Sequence, residues 1–240
     1  MAERSFAGIA QTNGRIEAER VDIATKFAGR LTAVLVAEGD VVKAGQVLAR
    51  LDSNELEAQL HEAEAALRQA EQQLDQAIAL LAQRKSELTL ADQQLNRSLE
   101  LVTKGFASRE VVDQRRSARL TAEAAINSAN AQISQAKAGI KVAAARVQRL
   151  KVDLDDCELK APRAGRIQYR LALPGEVAAA GGKVVTLLDL ADVYMTVFLP
   201  TREAGRLEIG SEARIVFDAA PQWTVPATVS FVAADAQFTP

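Results

Sequence analysis

The chain has 240 residues, a net charge of -2 at neutral pH, one cysteine and one histidine. Near-neutral charge gives no bulk attraction to nucleic acid or to an anionic membrane, and a lone cysteine excludes an internal disulfide. Apolar residues make up 48% of the sequence but aromatics only 4%, a balance that favours a helix seam of alanine and leucine over a bulky globular core.

In chain order, the first segment, residues 1–22, carries one expected strand around Gly14 to Val21. Met1 to Phe6 does not read as a signal peptide, and no apolar run approaches the roughly 18 residues of a membrane-spanning helix. Residues 23–52 then read as half of a small β-domain. Within them FAGRLTAVLVAEGDVVKAGQVLARLD, Phe27 to Asp52, has Gly-marked turns at Glu38 to Asp40 and Ala44 to Gln46. The turns separate short runs with strand-like alternation: Leu31, Ala33 and Leu35, then Val41, then Val47, Leu48 and Leu51. A strip of about 25 residues cannot bury enough apolar surface to offset its ordering entropy, so a partner strip is required.

That partner comes after a long insert. Residues 160–189 contain RAGRIQYRLALPGEVAAAGGKVVTLLD, in which Ala164-Gly165-Arg166 matches Ala28-Gly29-Arg30, Gly175 matches Gly39 and Val177 matches Val41. Allowing one extra residue at Gly181-Gly182 aligns Val47 with Val184, Leu51 with Leu188 and Asp52 with Asp189. The expectation is two interlocking halves of one β-domain.

The insert, residues 53–159, keeps a strict seven-residue period. Leucine or valine stands at Leu60, Leu67, Leu74, Leu81, Leu88, Leu95 and Val102, with Ala63, Ala70, Ala77, Arg84, Ala91 and Ser98 three residues after each of the first six. The second arm repeats the series with Val112, Arg119, Ile126, Ile133, Ile140, Val147 and Leu154, followed by Arg115, Ala122, Ala129, Ala136, Ala143, Leu150 and Cys157. Such a period predicts a left-handed supercoil. Proline is absent from the insert and glycine occurs only at Gly105 and Gly139. Lys104-Gly105-Phe106-Ala107-Ser108 supplies a helix stop, a turn and an N-cap, so the arms fold back at a tip spanning 103–108. Antiparallel partners should have numbers summing to about 214, with Leu81 beside Ile133 and Val102 beside Val112. Near the tip, Arg97, Lys104, Arg109, Arg115, Arg116 and Arg119 gather against Glu100, Glu110 and Asp113.

Residues 190–240 read as further strands, through Tyr194, Thr196 and Phe198, then Ala213, Ile215 and Phe217, then Val225, Ala227, Val229 and Phe231, with a helical turn or two at Pro200 to Leu207. The expectation is a β-barrel domain whose C-terminal part is missing, to which residues 1–22 add a strand. No nucleophile–base pair, phosphate-binding loop or metal-ligand spacing is visible, so neither an enzyme nor a cofactor or metal site is expected. Cys157 falls in the small-residue series of the seam, while His61 and Lys43 read as solvated.

The paired halves resemble the biotinyl/lipoyl carrier fold. In that family the modified lysine follows the acidic position matched by Asp52 within one or two residues, but this chain continues Ser53-Asn54-Glu55. A carrier domain and a coiled-coil scaffold remain as alternatives. Taken whole, the α+β order of parts resembles the periplasmic adaptor, or membrane fusion protein, family of HlyD-like secretion proteins: a lipoyl-like β-domain split by a long antiparallel α-helical coiled-coil hairpin, then a β-barrel. The resemblance implies an adaptor without enzymatic chemistry, bridging an inner-membrane transporter, of ABC type rather than RND or MFS, to a TolC-type outer-membrane channel. It further implies a hexameric ring in the periplasm of a Gram-negative bacterium, anchored by a segment outside this sequence, with no nucleic-acid partner. Members that dock on TolC-type channels carry an Arg at the hairpin tip, a Leu four residues later and a Ser eleven residues after the Arg. Arg97, Leu101 and Ser108 stand at that spacing.

Overall fold

The computed structural model describes residues 9–233, of which 22–187 form one compact unit and 9–21 with 188–233 another. Met1 to Phe6 and the end of the expected C-terminal domain lie outside the described residues. The strand expected around Gly14 to Val21 is longer, β1 at Gly14–Ala24.

The β-domain of the larger unit is built from β2 (Gly29–Val34), β3 (Val41–Val42), β4 (Val47–Leu51), β5 (Glu158–Lys160), β6 (Gly165–Arg170), β7 (Val177–Ala178) and the first part of β8 (Lys183–Val197). Together with β1 they form two four-stranded sheets, ordered β1-β8-β6-β3 and β5-β4-β2-β7. Each sheet takes an edge strand from the other half: β2 pairs with β7 through Arg30 and Val177, and β3 with β6 through Val41 and Arg166. Neither half can therefore complete its backbone hydrogen bonds alone.

The halves repeat at a spacing of 136 residues. Leu31 N–H donates to Glu176 O at 2.8 Å, and its counterpart Ile167 N–H donates to Asp40 O at 2.8 Å. In return Gly175 N–H donates to Leu31 O and Gly39 N–H to Ile167 O, at 2.7 and 2.8 Å. Gly39 and Gly175 have φ of +90° and +91°, the left-handed region that a Cβ disfavours. No extra residue is inserted at Gly181-Gly182. Leu35 N–H donates to Leu48 O and Leu171 N–H to Val184 O, which keeps the same spacing, so Leu51 corresponds to the buried Leu187 and not to Leu188.

The core is made by Leu31, Val42, Leu48, Ile167, Val184, Val185 and Leu187, all essentially without exposure. Two expected inward positions are corrected. Leu35 is exposed and Val36 buried, because the register of β2 on β4 slips between Leu31 and Ala33 and a bulge exchanges the two faces. Val41 is exposed on its two-residue edge strand while Val42 points inward.

The helices are α1 (Asn54–Thr103, 50 residues) and α2 (Arg109–Asp155, 47 residues). At about 1.5 Å per residue the longer arm reaches about 75 Å. Every seam position named from the sequence on α1 is buried or half-buried, as are those on α2 apart from the exposed Arg115. Near the root, Ala63, Val147 and Leu150 cluster with Leu56, Leu60 and Leu67, and Lys151 lies 4.0 Å from Glu64 across the arms. The arginine exceptions stay in the series because they find partners: Arg119 Nε lies 2.7 Å from Asp92 Oδ1 on the opposite arm, and Arg84 Nη1 2.8 Å from Glu87 Oε2 on its own.

The insert ends earlier than residue 159. Cys157 lies beyond α2, is buried, donates from Sγ to Asp153 O at 3.4 Å, and offers its carbonyl to Leu51 N–H at 2.9 Å. Burial, aided by the nearby Asp156 and Asp153 carboxylates, pushes its thiol pKa up. Leu159 is buried in β5, so the strand belongs to the β-domain. Residue Arg50 pairs with Glu158 in the β4–β5 ladder, which places the two ends of the insert side by side.

In the smaller unit, α3 (Thr201–Ala204) precedes β9 (Glu212–Phe217) and β10 (Ala220–Thr228), an antiparallel pair. The described strands do not close into a barrel. Phe231 lies beyond β10 and is exposed.

Two outcomes follow from this architecture. Because β4 and β5 already form an antiparallel ladder, joining Asp52 through one Gly to Cys157 in place of residues 53–156 makes a two-residue hairpin loop. The product should be soluble and β-rich by circular dichroism, with one cooperative unfolding transition; a disordered product would refute the split-domain topology. Gly39→Ala and Gly175→Ala should each cost about 1–2 kcal/mol in urea unfolding, and by similar amounts, since nothing crowds either position and only the left-handed backbone penalises the methyl.

Candidate docking site at the hairpin tip

The root is fixed by side chains at both helix ends. The Asp52 carboxylate accepts from the backbone N–H and side-chain amide of Asn54, at 3.1 and 2.8 Å, closing the entry into α1. Lys26 Nζ lies 2.5 Å from Asp156 and 3.8 Å from Asp153, and Lys160 pairs with Asp155. The hydrogen-bonded Asp156 raises the pKa of Lys26, as Asp155 does for Lys160. The turn that holds a carrier lysine in the resembling fold is thus occupied by the helical insert, and Lys43 is an exposed loop residue whose N–H donates to Gln46 Oε1 at 3.0 Å.

At the far end α1 stops at Thr103. Gly105 adopts φ +78° and donates to Val102 O at 3.0 Å, and Phe106 N–H donates to Leu101 O at 2.8 Å. A left-handed residue bonded back to the last turn is the usual way a helix ends at glycine. Ser108 restarts the helix: its backbone is extended, and its hydroxyl accepts from Val111 N–H at 3.4 Å.

Arg97, Leu101 and Ser108 are all exposed. Arg97 and Leu101 stand one turn apart on α1, and the Leu101 carbonyl is tied to the turn that carries Ser108. Leu101 is 39% exposed although it adjoins the seam residue Val102. Of the other basic residues near the turn, Arg119 is engaged with Asp92 and Glu123, Arg115 Nη1 donates to Gln94 Oε1 at 2.9 Å, and Arg116 lies 3.9 Å from Asp113. Sequence reasoning passed over Phe106, which is 79% exposed on the turn. Its signal was an aromatic beside the turn glycine in a chain with few aromatics.

Outside the tip, His61 is an exposed helix residue with Nδ1 3.9 Å from Glu64. Among the described residues, no group of three His, Cys, Asp or Glu side chains is placed to hold a metal ion, and no helix is long and apolar enough to cross a membrane.

A family model described as "RND MFP, barrel-sandwich hybrid domain" matches residues 19–189, the two β-halves and the hairpin together. The chain belongs to the membrane fusion protein family. Its relatives include a UPF0194 membrane protein of Yersinia pseudotuberculosis, 27% identical over 95% of this chain and 76% of the relative. Another, the UPF0194 membrane protein YbhG of Salmonella arizonae, is 30% identical with the same coverage. The crystal structure of MacA from Actinobacillus actinomycetemcomitans shares the fold, with TM-score 0.68 and 21% identity over 93% of this chain and 66% of that one. Membrane fusion proteins are adaptors of efflux systems, working in general with a transporter and an outer-membrane channel.

Exposure predicts how tip variants of this adaptor should fold. Arg97→Asp and Leu101→Asp should leave helicity and melting temperature nearly unchanged, because both side chains lie outside the seam. Leu95→Asp should lower the melting temperature by circular dichroism, since it drives a carboxylate between the arms.

Proposed function

We propose that this chain is the periplasmic adaptor that joins an inner-membrane transporter to a TolC-type outer-membrane channel, docking through Arg97, Leu101 and Ser108. The observation that carries this reading is the exposure of all three at the free end of a hairpin arm of 50 residues, with Leu101 outside the seam that occupies its neighbour. A buried Leu101 would have made the spacing a packing coincidence.

The mechanism is mechanical. Copies assemble as a hexameric ring around the transport path at the inner membrane. The root, with its ladder between β4 and β5, transmits position from the β-domain to the arms, and the arms present the tips to the channel. An ABC-type transporter fits the sequence pattern of the first half. The energy comes from the transporter, and the adaptor supplies a sealed path without chemistry on the cargo.

Disulfide or photo-cross-linking in cells at native expression tests the docking. Arg97→Asp and Leu101→Asp should each abolish cross-linking to the channel and export, with the protein level unchanged. Normal export by both would remove the tip, and with it the channel partnership.

A further inference from the structure

Phe106 is the most exposed apolar side chain of the tip, at 79%, and its backbone is held from both directions. Gly105, left-handed at φ +78°, directs the chain back toward the Leu101 carbonyl, which Phe106 N–H meets at 2.8 Å, and the Ser108 cap fixes the start of α2. A ring presented on a hydrogen-bonded turn loses little freedom on binding, which is the condition for an efficient anchor. On the two helix ends that flank the turn are two further exposed apolar residues, Leu101 on α1 and Val111 on α2, each adjoining a seam residue, Val102 and Val112.

Basic charge stands nearer to this apolar group than acidic charge does. Arg97 and Lys104 stand within about 60° of Leu101 around α1 at 3.6 residues per turn, whereas Glu100 is turned away by about 100°. Glu110 is turned away from Val111 by about the same angle. Among the described residues neither Arg97 nor Lys104 makes an ion pair, unlike Arg116 and Arg119 on the neighbouring arm.

We infer that Phe106 is the apolar anchor of the tip, and that it enters a socket on a protein partner whose floor is apolar and whose rim carries carboxylates facing Arg97 and Lys104. This rests on the docking role of the tip proposed above and names the chemistry that the partner must present. A second copy of this tip does not fit, because it would bring the same basic side chains against each other. Aromatic and arginine residues at the centre of a small patch are the types that carry most of an interface's affinity, and a basic rim opposite carboxylates makes that affinity salt-dependent.

The test uses the purified 240-residue chain and a TolC-type channel in lipid nanodiscs, with affinity measured by biolayer interferometry at low and high salt. Phe106→Ala should weaken binding about tenfold or more, while Phe106→Leu retains most of it and the control Val142→Ala, exposed on the root side of α2, retains all. Arg97→Gln and Lys104→Gln should weaken binding at low salt and flatten its salt dependence. If Phe106→Ala binds within about twofold of the parent while Leu101→Asp does not bind, tip docking stands and the anchor is overturned. Should the parent itself not bind, or Leu101→Asp bind normally, the docking reading falls and the anchor with it. Binding to anionic lipid vesicles that requires Phe106 would make the surface a membrane contact and overturn the protein socket.

Discussion

The antiparallel ladder between β4 and β5 is the constraint on which the larger unit depends. Arg50 pairs with Glu158, and Leu51 N–H reaches Cys157 O, so the chain leaves the β-domain and returns to it within one hydrogen-bonded pair of strands. An insert of a hundred-odd residues can be placed there at little cost to the domain because its ends are already adjacent. Loop-closure entropy is met by the ladder, and the coiled coil has only to stabilise itself. Arg50 and Glu158 add a side-chain contact at 3.0 Å, and the lysine–aspartate pairs of Lys26 and Lys160 hold the exit of α2 against the same root.

The second organising feature is the pseudo-twofold exchange of strands between halves. Because Leu31 and Ile167 make equivalent bonds to Glu176 and Asp40, each half supplies the edge that the other lacks. That exchange explains how halves separated by the whole hairpin remain one domain: each would otherwise leave buried backbone groups unpaired. The core stays small and aliphatic, with Leu31, Leu48, Ile167 and Leu187 at its centre.

Along the hairpin, side chains divide by angle around the helix. Seam residues hold the arms together, small residues let the backbones approach, and of the arginines that interrupt the series Arg84 and Arg119 reach carboxylates while Arg115 reaches the Gln94 amide oxygen. At the tip the seam runs out, and residues one step beyond it, Leu101 and Val111, face water. The residues that keep the arms straight are thus different from the apolar residues left exposed at the tip.

The sequence by itself determined the periodic elements. The seven-residue series located both arms and their seam, the glycine and serine at the tip located the reversal, and the Gly39 and Gly175 turns revealed the repeated half, because each depends on spacing along the chain or on one residue's backbone freedom. The spacing of Arg97, Leu101 and Ser108 was legible in the same way. Tertiary structure decided what depends on a partner strand. A bulge against β4 put Val36 inside and Leu35 outside, the spacing of 136 residues held where letter matching had opened a gap at Gly181, and the ladder to β4 drew Cys157 and β5 out of the helical insert. It also decided that Phe106 stands clear of its own chain. Exposure is a property of everything that fails to cover a side chain, and no local pattern encodes it.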